Sequence, residues 1–373
     1  MQQADVLIVG AGVVGLSLAY ELADEGLRLV VIDRGPLGRE ASWAGAGILP
    51  PANSATARHP YDELRGLSFR LHAEWSRQLL AETGIDNGYR RCGAIYLSRS
   101  VGEAAALRGF YNTLQDEEIA AQRLSPEQLA EHEPALAAIA QSGRLKAAYA
   151  VPDECQIRNP RHLQALVEAC RLRGVELLPE TGAEAFMLDG ERLAGIATSR
   201  GRISATSYCL TSGAWTQTLL AKLGVANGIL PMKGQMLLYA CGRPPFTAVI
   251  NEGNRYLVAR DDGHVLVGST EEESGFDKSN TAAGLRDLQD FACDVIPALQ
   301  TATLEQSWAG LRPASFDGLP YIGKIPGLQN AFVAAGHFRS GLYLSPGTAV
   351  VLSALVRGLT PAIDLHPFRL GRG

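Results

Sequence analysis

Val6-Leu7-Ile8-Val9-Gly10-Ala11-Gly12-Val13-Val14-Gly15 is the stretch that decides the fold. Its first four residues are a short apolar run that suits a buried parallel strand. The glycines that follow have the G-x-G-x-x-G spacing. Gly10 permits a tight strand-to-helix turn, Gly12 lets backbone come close to a pyrophosphate, and Gly15 lets the next helix pack on the strand. A helix from about residue 13 to 25 then aims its first amides at the phosphates. Leu29-Val30-Val31-Ile32 reads as the second strand, and Asp33 follows where an acid accepts hydrogen bonds from adenosine ribose hydroxyls, with Arg34 beside it. The fingerprint alone is weak. Strand, fingerprint, helix, strand and acid in this order predict dinucleotide binding, without separating NAD from FAD.

The next segment, residues 35–49, is rich in small residues: Ser42, Ala44, Gly45, Ala46, Gly47 and Ile48 sit in it. Such a backbone can approach a large cofactor a second time. The neighbouring Trp43 and Leu49 predict that it is buried.

The 373 residues are enough for two or three lobes, and 46% hydrophobic residues allow a sizeable core. A net charge of −5 with no polybasic run argues against nucleic acid or anionic membrane as partners. The six cysteines form no C-x-x-C pair and lie beside no ligand-spaced histidine, so they are expected to be reduced thiols, with no metal site. The first residues lack a charged and apolar leader, the last three are no retention address, and no apolar run spans a bilayer. The expectation is a soluble cytoplasmic protein.

Further along, residues 60–85, 103–118, 125–131, 159–173, 216–223 and 282–298 read as helices. Strands are expected at 92–97, 174–178, 183–188, 193–198, 202–210 and 331–335, and as an alternating set across 231–270 with a hairpin at Asp261-Asp262-Gly263. A last helix is expected from about Pro346 to Arg357.

With these residues in view, the chain resembles the D-amino-acid-oxidase-like family of flavoenzymes, most closely its glycine oxidase (ThiO) branch. The landmarks are Gly10–Gly15, residues 41–47, Thr211-Ser212-Gly213-Ala214-Trp215, Pro231-Met232-Lys233-Gly234-Gln235 and Tyr256-Leu257-Val258-Ala259-Arg260. Trp308-Ala309-Gly310-Leu311-Arg312-Pro313 and Gly336-His337-Phe338-Arg339-Ser340-Gly341 complete them. The resemblance implies an α/β fold: a discontinuous Rossmann-like FAD-binding domain (residues 1–85, 145–225 and 305–373) and an α+β substrate domain with a mostly antiparallel sheet (86–144 and 226–304). It implies noncovalent FAD held by Gly10, Gly12, Val13, Val14, Gly15, Asp33, Arg34, Ser42, Ala44, Gly45, Ala46, Gly47, Ile48, Gly213, Trp215, Gly234, Gly336, His337, Phe338, Arg339, Ser340, Gly341 and Leu342.

For the substrate it implies Arg312 as the bidentate fork for a carboxylate, Tyr256 as a phenol on that carboxylate, and Arg339 as added positive potential. Glycines and amides before the last helix would face the flavin's anionic reduced ring. No general base is implied, because the family passes hydride directly from the substrate carbon, and His337 is not assigned that role. Ala259 replaces a proline often found before the arginine in the family, and Asn254 and Glu271 occupy pocket-adjacent positions that vary within it. The implied reaction is oxidation of glycine, sarcosine or small D-amino acids with O2 as acceptor, giving hydrogen peroxide, an imine, then glyoxylate and ammonia, with a role in thiamine thiazole synthesis and a homotetramer by analogy. The competing readings are a D-amino-acid dehydrogenase that uses a quinone, an RNA-modifying enzyme acting on a glycine-like amine, a covalent-flavin sarcosine oxidase, and a non-enzymatic flavoprotein.

Overall fold

Val6 and Ile8 pack into one hydrophobic cluster, while Leu7 and Val9 pack into another on the opposite face of the same strand. A strand sends successive side chains to opposite sides, so an unbroken apolar run requires both faces to be covered. That is the arrangement in the computed structural model, which describes residues 2–372. Met1 and Gly373, on which the expectations about a leader and a retention address bear, lie outside the described residues.

Strand Gln2–Val9 runs parallel to Leu29–Ile32 on one side and to Gly201–Leu210 on the other. Glu176–Leu178 and Ala331–Ala335 extend the parallel set. Antiparallel strands Arg192–Thr198, Ala183–Asp189 and Tyr321–Lys324 complete eight. Helices Val13–Leu22, Pro60–Thr83, Asn159–Leu172 and Gly341–Val356 cover the Val6 face.

The second sheet also has eight strands, in the order Thr303–Ala314, Leu230–Ala240, His264–Gly268, Arg255–Ala259, Val249–Glu252, Ala94–Ser98, Ala147–Val151 and Gln122–Arg123. All its pairings are antiparallel except that of Val249–Glu252 with Ala94–Ser98. Alternation again sorts its faces. Leu237, Leu257, Val265 and Val267 pack under helix Ala282–Val295, while Met236, Val258 and Leu266 point the other way, with Tyr256 and Trp308. The expected α/β fold with a second, mostly antiparallel sheet is observed.

Two details differ from the sequence reading. Ala147–Val151 and Thr303–Ala314 pair within the second sheet, although most of their residues fall in the ranges 145–225 and 305–373 expected for the cofactor unit. Apolar alternation marks a strand but does not say which sheet receives it. The last helix begins at Gly341, so Pro346 stands inside it rather than at its start. A proline there leaves the carbonyl four residues earlier without its helical donor. That carbonyl, Leu342 O, instead accepts from Ser345 Oγ at 2.9 Å and faces His72 Nε2 at 3.2 Å.

Candidate active site

A cavity of about 560 Å³ lies between the carboxyl ends of the parallel strands and the Met236 face of the second sheet. At its first end the cavity is walled by the start of helix Val13–Leu22 and by Asp33. The first-turn amides of helix Val13–Leu22 have no intrahelical acceptor. Ser42 Oγ accepts from Val13 N at 2.9 Å, and Gly12 and Val14 line the cavity beside it. Asp33 is fixed by two backbone donors, Ala11 N at 2.7 Å and Gly35 N at 3.0 Å, and burial pushes its carboxyl above the usual range. The Arg34 guanidinium lies 3.6 Å over the Trp215 ring, which closes that end.

The small-residue segment forms the middle. Trp308 Nε1 donates to Ala44 O at 3.1 Å, and the buried Arg260 donates to Ala46 O at 2.6 Å. Arg260 also reaches Gln156 Oε1 at 2.8 Å and Ile157 O at 3.0 Å. The second sheet therefore holds this backbone in place.

At the far end the strand register sets a row of residues directly opposite one another: Tyr96, Asn251, Tyr256, Gly268, Met236 and Trp308. Directly opposed residues share a face, and Tyr96, Asn251, Tyr256 and Met236 line the cavity. Arg312, four residues beyond Trp308, points to the same side. Its guanidinium donates to Ser269 Oγ and to Thr270 O, the latter at 3.3 Å. Burial, more than any other influence, lowers its pKa. Among the described residues no carboxylate forms an ion pair with it. Tyr256 stands beside it with its hydroxyl 3.3 Å from Met236 Sδ.

Arg339 lies at the rim, exposed. It donates to Glu271 Oε2 at 2.6 Å and to Asn254 Oδ1 at 3.2 Å. His337 is buried, 3.1 Å from Thr348 Oγ1, and desolvation pushes it down to about 3. It is neutral near neutral pH and too weak a base to take a proton from an ammonium.

Every residue expected at the site lines this cavity except two. Gly15 stands behind it, where an added Cβ would lie 1.9 Å from Gly10 O, so it permits the helix to seat on the turn. Gly336 turns the chain behind the wall with φ +77°. The sequence reading did not single out Tyr96, Asn251, Met236 and Ser269. Each is an ordinary strand or loop residue until register aligns it with Tyr256 and Arg312.

The family model described as FAD dependent oxidoreductase matches residues 5–355. The glycine oxidase of Pseudomonas aeruginosa is 36% identical over 365 residues, 97% of each chain. The crystal structure of glycine oxidase from Geobacillus kaustophilus superposes with a TM-score of 0.93 at 32% identity, covering 100% of both chains. The bifunctional protein ThiO/ThiG of a Nostoc species is 31% identical over 94% of this chain and 52% of its own length.

Proposed function

This chain belongs to the FAD dependent oxidoreductase family, and from that premise we propose that it oxidises the carbon–nitrogen bond of glycine, and also of sarcosine and small D-amino acids. With glycine, water converts the resulting imine to glyoxylate and ammonia. FAD, when bound, would supply the hydride acceptor and the route for two electrons to O2, giving hydrogen peroxide. The cavity fits such a group: a helix N-terminus, a fixed acid at the end of the second strand and an aromatic wall at Trp215 suit the dinucleotide, and the Met236 face leaves room for a planar ring. Gly12 suits close approach, because a Cβ there would meet only Ser42 Oγ, at 3.2 Å. None of the six cysteines lines the cavity, which supports noncovalent binding.

The observation that carries the reading is Arg312, a partly buried guanidinium with no acid of its own, facing the cavity. A cation drawn partly out of water into a cavity calls for an anion, and a planar fork matches a carboxylate. Tyr256 adds a hydroxyl to the same group. With the carboxylate so anchored, Met236 and the Tyr256 ring leave space for a small α-substituent. Arg339 makes the rim positive, though its pairing with Glu271 offsets much of that charge.

No described helix is long and apolar enough to cross a membrane. We place the protein in the cytoplasm as a homotetramer with a part in thiamine thiazole synthesis; the likeness to the ThiO/ThiG protein supports that last role. The two sheets suggest that the cofactor and substrate units divide between them. Peroxide release tests the proposal: glycine should give more than D-alanine and D-proline. No turnover with any of the three would end it, and dye reduction without oxygen uptake would favour a quinone-linked dehydrogenase.

A further inference from the structure

Glu154 is fully buried beneath the cavity wall, 0% exposed. Tyr96 Oη donates to its Oε2 at 2.6 Å. Asn251, next in the row, faces the same carboxyl and adds a second, looser contact from its side chain. Tyr96 and Asn251 line the cavity, and Glu154 does not. A buried carboxyl is costly unless it is hydrogen-bonded, and the two side chains that face this one both line the cavity, so Glu154 is joined to the cavity through its own partners.

The reaction supplies a use for it. An amino acid arrives as an ammonium zwitterion, and the ammonium has no lone pair to assist loss of hydride from the adjacent carbon. One proton must leave first, and His337 cannot take it. Adjacent strands stand roughly 4.8 Å apart, so Tyr96 is two strands, roughly 10 Å at the backbone, from Tyr256. A small amino acid held at Arg312 and Tyr256 can present its nitrogen toward that side.

Resting on the glycine oxidation proposed above, we infer that Tyr96 and Glu154 form a relay that accepts the proton of the substrate ammonium. The ammonium N–H proton passes to Tyr96 Oη while the Tyr96 O–H proton passes to Glu154 Oε2. One N–H and one O–H bond break, two O–H bonds form, and no electrons are transferred. The amine and the carboxyl end neutral, and the phenol is regenerated. Neutralising a buried carboxylate also removes its desolvation cost. Burial pushes Glu154 up to about 7, where it can both hold and release a proton near neutral pH. The titratable and charged groups around the pair do not compete. Burial raises the Cys92 and Cys155 thiols, and Arg65, from helix Pro60–Thr83, is already paired with Glu117 and Asp62.

The test uses the holoenzyme with glycine across pH 6–10, and glycolate, which has the carboxylate but no ammonium, as a binding probe. In E154Q, kcat/KM at pH 7 should fall at least roughly 100-fold, the low end for a positioned proton acceptor. The loss should shrink as pH approaches the pKa of the free amine, and glycolate affinity should stay unchanged. Y96F leaves Glu154 in place but breaks the relay, so it should show the same profile; it decides the matter if E154Q does not fold. The relay is overturned if wild type turns over glycine and Y96F keeps its pH profile, loses the same factor at every pH, or weakens glycolate in parallel. Failure of wild type to oxidise glycine at any pH would instead overturn the underlying reading.

Discussion

The guanidinium of Arg312 fills the space that a side chain at Gly234 would need: a Cβ built on Gly234 would lie 2.2 Å from Arg312 Nη2 and 2.4 Å from Cζ. The two strands pair in register, Gly234 opposite Gly310 and Met232 opposite Arg312. The arginine can therefore fold across the gap that the glycine leaves. In G234A the flexible end of Arg312 should yield rather than the backbone. KM for glycine should rise about tenfold or more, the scale of a hydrogen bond to a charged group, with flavin content retained. Steady-state kinetics beside the visible flavin spectrum check this.

Burial and pairing separate the two arginines of the site. Arg312 is partly buried without an acid, whereas Arg339 is exposed and already bound to Glu271. R312M should lose about 2–3 kcal/mol of transition-state stabilisation, roughly 30–150-fold in kcat/KM. R339M should lose no more than about fivefold, as for an exposed ion pair. Comparable losses in the two variants would contradict this ordering.

Two buried histidines should make stability depend on pH. Burial, with repulsion from His72, pushes His162 down to about 3, and burial pushes His72 down to about 4. Both are neutral in the fold and basic in the unfolded chain, so their contribution is complete above pH about 6.5 and is lost as pH falls toward the folded values. For His162 that is about 2 kcal/mol between pH 7 and 5. H162Q should reduce the pH 7-to-5 loss in unfolding free energy by that amount, measured by chemical denaturation. Glu154 acts with the opposite sign but is common to both proteins and cancels in the comparison.

Arg260 joins the small-residue segment to the second sheet through Ala46 O, Gln156 Oε1 and Ile157 O. R260M leaves these buried acceptors unmatched. It should cost on the order of 3 kcal/mol and release FAD more readily, seen as lower flavin absorbance after dialysis. Unchanged stability would mean that the segment holds itself.

The cofactor end of the site was legible because its chemistry is local. Ten consecutive residues, Val6 to Gly15, contain strand, turn and helix start, and Asp33 follows one strand later. Arg312 and Tyr256 were reachable only through family resemblance, since an arginine or tyrosine in a strand has no local signature. Tyr96 and Glu154 were not reachable at all. Their hydrogen bond joins residues 58 apart in sequence, and the row from Tyr96 to Trp308 exists only once six strands take their register. Pro346 misled the helix boundary for a similar reason: the groups that satisfy Leu342 O include His72, 270 residues away.

The most direct measurement is anaerobic bleaching of the bound flavin by glycine and by glycinamide, in wild type and R312M. The account predicts that glycine bleaches wild type fast and glycinamide slowly. In R312M the glycine rate should fall to near the glycinamide rate, and admitting air to wild type should restore the colour with release of peroxide. Equal rates for the two compounds in wild type, or an undiminished glycine rate in R312M, would contradict a carboxylate anchored at Arg312.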